Sequence, residues 1–451
     1  VKKFALLLLL LTALAGGLWL WLRVPIAETT TAALRAYPVY SFARTRNETL
    51  LGAQHRGATG GNRLIHRTEL AGPRSRNVTT PNNDTLYSWA FLDLSAGPVT
   101  LTVPALPGRY HSVALMDPRT DNVFVAGTRD GGAGGEMTIR FGDGVQGRRP
   151  PVGTISGSYT STAPEAWLLI RTLVDGPADL AAARAAQAGF RLEVPDTSAR
   201  PDRPARLLPV LPDPATLLAN ANPLIRESPT LQDPALARTG YGLGDDAFET
   251  LPGWRQWLWR LLLPRIFERM KAGIAEGSRV TDDGWSKSPP GIGTAAAGDV
   301  VRAAVALGGL GALPVDEAVY WTATLDRDRA DLDGGKGRYR LTIPADVPAA
   351  AFWSLSIYER LPDGRLFFIE NPLDRYAVGN RTPGLKPNAD GSLTLTLAAE
   401  PPDDPANWLP APRGPFTLTF RAYLPKPPLK DGRWRLPAVE KLVEKSGEKP
   451  S

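Results

Sequence analysis

Asn82, Asn83, Asp84 and Thr85 stand together, Tyr87 follows closely, and Arg109, Tyr110, Asp117, Asn122 and Arg129 complete the densest polar cluster of the chain. A carboxylate, a guanidinium, phenols and amides that converge on a cleft bind a polar ligand, a small molecule or a glycan. The candidate ligand-binding residues are Asn82, Asp84, Tyr87, Arg109, Tyr110, Asp117, Asn122 and Arg129. Asp84 with His111 nearby is also a pair that can run acid–base hydrolysis, which makes these two the candidate catalytic groups, with Arg109 beside them. The same side chains suit structural work equally well. Asp84 can cap its loop through backbone amides, and Arg109 can pair with Asp84 or Asp117 to hold strands in register.

Other chemistries find little support. The chain has no G-x-S-x-G, no H-E-x-x-H, no phosphate loop and no dinucleotide fingerprint. Asp326, Asp328, Asp331 and Asp333 resemble a calcium loop, but Ala330 stands where an acid or amide is needed and no Glu closes the loop, so a hairpin turn at Asp333 and Gly334 is expected. His55, His66 and His111 lack the pairwise spacing of a metal site. Neither metal nor cofactor is expected. With no cysteine, disulfides and thiolate sites are excluded. The net charge of +6 comes from 52 cationic and 46 anionic side chains interleaved along the whole length, which gives no footprint for nucleic acid.

The elements that position these residues are mainly strands. A chain of 451 residues with 44 Gly and 43 Pro is long enough for two or three domains and too turn-rich for long helices. Val99 to Val103 alternates apolar and hydroxyl side chains, Pro104 stops it, and Tyr110 to Met116 resumes beyond Pro107 and Gly108, a pattern that predicts a hairpin. Strands are also predicted at Leu86 to Leu92, Val123 to Ala126, Met137 to Phe141 and Trp167 to Val174, and a second block covers Val319 to Tyr423. Between the blocks lie an Ala-rich helix near Ala178 to Gly189, a Pro-rich linker over 195–250 and an amphipathic Trp- and Arg-rich helix from Trp254, kinked at Pro264. That helix can pack its aromatic stripe between domains or lie on a membrane.

The fold class is therefore mainly β: two β-sandwich domains separated by a helical and irregular segment and preceded by an N-terminal membrane helix. The boundaries are 1–26 for the anchor, 27–175 for the first sandwich with its lead-in, 176–315 for the connector, 316–425 for the second sandwich and 426–451 for a tail that straps and frays. Lys2 and Lys3 precede Phe4 to Leu22, nineteen residues without a charge, with Trp19 and Trp21 at the exit. Such a run can cross a bilayer, and tryptophans favour its interface. The expected partner is thus the inner membrane, through this helix, with the rest of the chain exported to the periplasmic side. A cleaved signal peptide is the alternative.

The two strand blocks echo each other. Leu101 to Ala105 and Tyr110 to Asp117 correspond to Leu341 to Ala345 and Phe352 to Glu359; Trp89 to Asp93 parallels Trp321 to Asp326. Trp167 to Arg171 parallels Phe416 to Arg421, each strand ending in Arg at the same phase. One plan used twice is the expectation.

Thr80-Pro81-Asn82-Asn83-Asp84-Thr85-Leu86-Tyr87, Gly108-Arg109-Tyr110, Leu115-Met116-Asp117 and Gly127-Thr128-Arg129, with Phe352-Trp353-Ser354-Leu355, Asp390-Gly391-Ser392, Asn407 to Pro412 and Gly432 to Pro437, carry a resemblance. In these motifs the chain resembles the bacterial tandem family of domains of unknown function 1254 and 1214, over nearly everything after the anchor. The resemblance implies an immunoglobulin-like sandwich, a helical insertion and a jelly-roll-like sandwich, and it brings no established catalytic residues. The Pro-rich middle of this chain departs from the family pattern.

Overall fold

Alternating strands punctuated by Gly and Pro give two β-rich regions separated by a helical and irregular segment. The computed structural model describes residues 2–54, 61–76, 79–142, 155–194, 205–276, 281–362 and 364–442. After α1 (Lys2–Gln54), the first region runs through β1 (Ile65–His66), β2 (Thr85–Asp93), β3 (Val99–Val103), β4 (His111–Met116) and β5 (Asn122–Gly127). It continues with β6 (Gly135–Phe141), β7 (Gly157–Ser161), β8 (Glu165–Leu173), α2 (Leu180–Ala188) and β9 (Arg191–Glu193). The middle holds α3 (Pro214–Glu227), α4 (Ala247–Thr250), α5 (Gly253–Glu276), β10 (Trp285–Lys287) and α6 (Asp299–Gly308). The second region has β11 (Ala318–Ala323), β12 (Arg338–Ile343), β13 (Ala349–Arg360), β14 (Leu366–Phe367) and β15 (Ala377–Gly379). It ends with β16 (Leu393–Ala398), β17 (Trp408–Pro410), β18 (Phe416–Pro425), α7 (Pro427–Asp431) and β19 (Glu440–Leu442).

Each region divides its strands between two sheets. The first has the orders β1-β2-β8-β4-β5 and β7-β6-β3-β9; the second has β10-β11-β18-β13-β14, with β15 also on β13, and β17-β16-β12-β19. Strand for strand these orders are the same, with β14 and β15 together in the place of β5. Even the parallel pair recurs, β6 with β7 and β16 with β17. The stretches that echo each other in sequence fall on β2 and β11, β3 and β12, β4 and β13, and β8 and β18, so the internal repeat is architectural.

The sheets of each region share one apolar cluster. Leu101 and Ile139 face Val113, Leu115 and Ile170 in the first; Leu341 and Leu395 meet Leu355, Ile357 and Phe420 in the second. In β8 every residue is buried, because both faces of its sheet are covered, and its centre from Ala166 to Ile170 is accordingly a continuous apolar run instead of an alternation.

Several expectations are corrected. β3 and β4 form no hairpin: β3 pairs with β6 and β9, and beyond Pro104 the chain crosses to the other sheet, where β4 pairs with β8 and β5. Alternation specifies which face is buried and leaves the neighbour open. The Pro-rich stretch read as a linker contains α3, started by Pro214 and capped by Asp213, whose carboxylate accepts from the Thr216 amide at 2.9 Å. The lead-in assigned to the first sandwich is helical as far as Gln54, as part of α1, which passes Pro25 and Pro38. Ala36, Tyr37 and Tyr40 of α1 pack with Leu217, Trp259, Phe267 and Ala303 of α3, α5 and α6 in a helical core that continues onto Phe91 and Trp167 of the first β region. Among the described residues no helix is long and apolar enough to cross a membrane. Most side chains of the apolar run from Phe4 to Leu22 lie outside the described residues, as do His55 and the end of the tail.

Gly127 on β5 and Gly379 on β15 occupy matching places, opposite Ser112 and Ser354. A methyl group at either would collide with the backbone of His111 or of Trp353. Gly379→Ala is expected to lower stability by about 1–3 kcal/mol, the usual cost of overpacking. Urea unfolding reads this, and a loss within about 0.5 kcal/mol, ordinary for a surface change, would contradict the close approach.

Candidate functional site

Along β4 the side chains alternate, so Val113 and Leu115 enter the core of the first region while Tyr110 and Ala114 face the second. There the outer faces of β4 and β8 meet those of β13 and β18. Tyr110, Phe352 and Tyr423 close the seam as an aromatic trio, with ring centroids 4.2 to 5.4 Å apart.

Two arginines dominate this seam, and the register explains their likeness. Arg171 on β8 lies between Tyr87 on β2 and Ser112 on β4; Arg421 on β18 lies between Tyr320 on β11 and Ser354 on β13. Both are almost fully buried, at 5% and 4% exposure. Neither was among the candidate residues, although the matching phase of the two arginines in sequence was the signal that could have found them.

Both terminal nitrogens of Arg421 have partners. Its Nη1 donates to Ser356 Oγ at 2.8 Å, and its Nη2 donates to Tyr358 Oη at 2.9 Å and to the Thr80 carbonyl at 3.2 Å. The Thr80 to Asp84 loop thus clamps the second region. Tyr358 Oη donates to the Pro81 carbonyl at 2.6 Å, Asn82 Nδ2 to Tyr423 Oη at 2.7 Å, and Ser354 Oγ to Asp84 Oδ2 at 2.6 Å. Asn82 Oδ1 accepts from the Asp84 amide at 2.6 Å, which ties the loop to itself. Thr80 holds a φ of 56°, strained for a β-branched residue and sustained by these contacts. Burial raises the pKa of Asp84, opposed by the Ser354 hydrogen bond and the Arg421 charge.

Arg171 is only partly occupied. Its Nη2 donates to the Gly311 carbonyl at 2.7 Å and its guanidinium lies 5.3 Å from the centre of the Tyr87 ring. Its Nη1 has no hydrogen-bond partner, nor have the neighbouring Ser112 Oγ and Arg129 Nε. Among the described residues no carboxylate lies within ion-pair distance of it. A carboxylate that feels its charge is Glu317, which precedes Tyr320 by the interval at which Asp84 precedes Tyr87. Each region therefore sends one acid across to the other. Glu317, fully buried, accepts from Tyr110 Oη at 2.7 Å and sits 3.4 Å from Arg129 Nη1. Burial pushes its carboxyl up to about 7, against the pull of Tyr110, Arg129 and Arg171.

The remaining candidates are dispersed. Arg109 pairs in bidentate fashion with Asp179, which it holds below the usual carboxylate range, and with neither Asp84 nor Asp117. Asp117 accepts from Arg119 and from the backbone amides of Arg119 and Asp121; burial raises its pKa to about 6. Asn122 donates to the carbonyls of Gly293 and Ala312 at 2.7 and 3.0 Å and so stitches β5 to the helical segment. His111 turns into the core of the first region, its ring 6.2 Å from Phe190, and burial lowers its pKa. The sheet thereby separates His111 from Asp84, which faces Ser354. Asn82, Asp84, Tyr87, Tyr110 and Arg129 line the seam; Arg109, His111, Asp117 and Asn122 do not.

Family models match residues 61–194, described as "Protein of unknown function (DUF1254)", and residues 317–427, described as "Protein of unknown function (DUF1214)". Among solved structures, the VPA0106 protein from Vibrio parahaemolyticus is similar in fold, with a TM-score of 0.64 at 19% identity, over 93% of this chain and 100% of that one. An uncharacterized protein from Burkholderia cenocepacia aligns with a TM-score of 0.46 at 15% identity, over 95% of this chain and 97% of that one. No curated protein matches the chain.

Proposed function

The chain belongs to the family that carries DUF1254 and DUF1214 in tandem, and from that premise we propose that it is an exported, membrane-anchored envelope protein that binds a small polar anion at the seam between its two β regions. The observation that carries this reading is Arg171 Nη1, buried, without a partner and adjacent to the equally unpartnered Ser112 Oγ. A buried guanidinium with an unserved donor is costly, and an anion bound to it relieves that cost. Its counterpart Arg421 lies close to a carboxylate, Asp84, which indicates the kind of group that the first copy accepts. A carboxylate or phosphate oxygen fits these donors, supplied by a small molecule or the acidic end of a glycan. In the same reading the regions are an immunoglobulin-like and a jelly-roll-like sandwich, although their common strand order favours two copies of one architecture.

Hydrolysis by Asp84, His111 and Arg109 is the other reading, and it lacks a shared cleft because the three groups face three different partners. Thermal unfolding of the full chain with added inorganic phosphate or succinate, against chloride at matched ionic strength, tests the anion site. At saturating anion the wild type is expected to gain a few degrees in Tm, and Ser112→Ala to lose most of that gain. An equal gain in both proteins, or none in the wild type, would overturn the proposal.

A further inference from the structure

We infer that the folded body lies against a lipid bilayer through the surface formed by the exit of the apolar run in α1 and the first turns of α5. This rests on the membrane-anchored reading and is independent of the anion site. Trp19, Trp21 and Trp257 are 64%, 56% and 55% exposed, and Leu20 and Val24 are similarly open. Trp254 is 38% exposed, and its ring centroid lies 5.0 Å from that of Trp21, so the two helices contribute to one continuous patch. Large exposed aromatic surface of this kind marks an interaction site.

The occupant follows from charge and continuity. Arg23, two residues after Trp21, and Arg260, three residues after Trp257, are exposed, and Arg255 lies over the Trp254 ring at 4.6 Å while pairing with Glu28 at 3.3 Å. Indoles with cationic neighbours suit the headgroup level of a membrane, where the ring enters the acyl boundary and the guanidinium reaches phosphate. A second protein copy would explain the tryptophans but not their continuity with Phe4 to Leu22, the uncharged run that α1 carries directly into the patch. With Trp21 at the exit of that run, contact sets Trp254 at the same depth, and Trp257 follows about 4.5 Å further along α5. The helical layer then faces the bilayer.

The test uses the full chain, which has no cysteine of its own. Trp257→Cys and, as a reference on the second β region, Lys386→Cys are each labelled with a polarity-sensitive fluorophore and reconstituted in phosphatidylcholine–phosphatidylglycerol vesicles. The label at 257 is expected to be quenched by brominated lipid and shielded from iodide several-fold relative to the label at 386. Flotation with the vesicles while 257 remains as open to iodide as 386 would overturn the docking surface and leave the anchor standing; failure to float would overturn both. Shielding of 257 already present without vesicles would assign the patch to a second protein copy and overturn the bilayer assignment.

Discussion

Arg421→Met is expected to lower the free energy of unfolding by about 3–5 kcal/mol, the range for breaking a buried charge network by removing one partner. Methionine fills much of the same volume, so the loss reports the guanidinium and not a cavity. Three acceptors go unserved at once: Ser356 Oγ, Tyr358 Oη and the carbonyl of strained Thr80. Asp84 also loses its neighbouring cation. Urea unfolding measures the loss, and adding Asp84→Asn is expected to recover part of it, because the stranded carboxylate is then gone. Coupling of about 0.5–3 kcal/mol between the two sites would place them in one network, as the loop clamp requires. A loss under about 1 kcal/mol for Arg421→Met would show that the clamp contributes little to stability.

A second large effect is expected from pH. The carboxyl of Glu317 ionises near 4.5 when the chain is unfolded and only near 7 in its buried place. Across that window the folded protein holds a proton that the unfolded chain has released. The contribution of Glu317 is therefore greatest in acid, falls as pH rises through the window and is level above it. The full fall is about 3 kcal/mol. Glu317→Gln is expected to flatten it: the amide oxygen still accepts from Tyr110, and nothing remains to titrate. Asp117 and Asp84 are also raised by burial and contribute slopes of the same sign. The quantity to measure is therefore the difference between wild type and Glu317→Gln in a series of urea midpoints from about pH 5 to 8, the span over which the shifted carboxyl titrates. Parallel curves would rule out Glu317 as a group that titrates in this window.

Much of the architecture was legible because it is written in short-range signals. Val99 to Val103 alternates strictly and is a strand with the expected ends, and the equally strict alternation of Leu393 to Leu397 falls within β16. The repeat was legible too, since β8 and β18 carry arginine at the same phase. Two conflicting signals hid α3: prolines spread through its neighbourhood suggested a linker, while Pro214 after Asp213 is an ordinary helix start.

The site divided differently. Sequence alone marked the loop from Thr80 to Asp84 as special, through side chains that bond to nearby backbone, and marked Tyr87, Tyr110 and Arg129 as polar groups on strands or beside them. Which acid meets which donor was decided only by the tertiary structure. Arg109 finds Asp179 and Glu317 finds Tyr110 across separations of 70 and 207 residues, and Asp84 meets Ser354 across 270. Such partners are set by the packing of two sheets face to face, a long-range outcome that no local period encodes. For the same reason the candidate catalytic pair came apart: adjacent positions on a strand point to opposite faces, so His111 went to the core and Tyr110 to the seam.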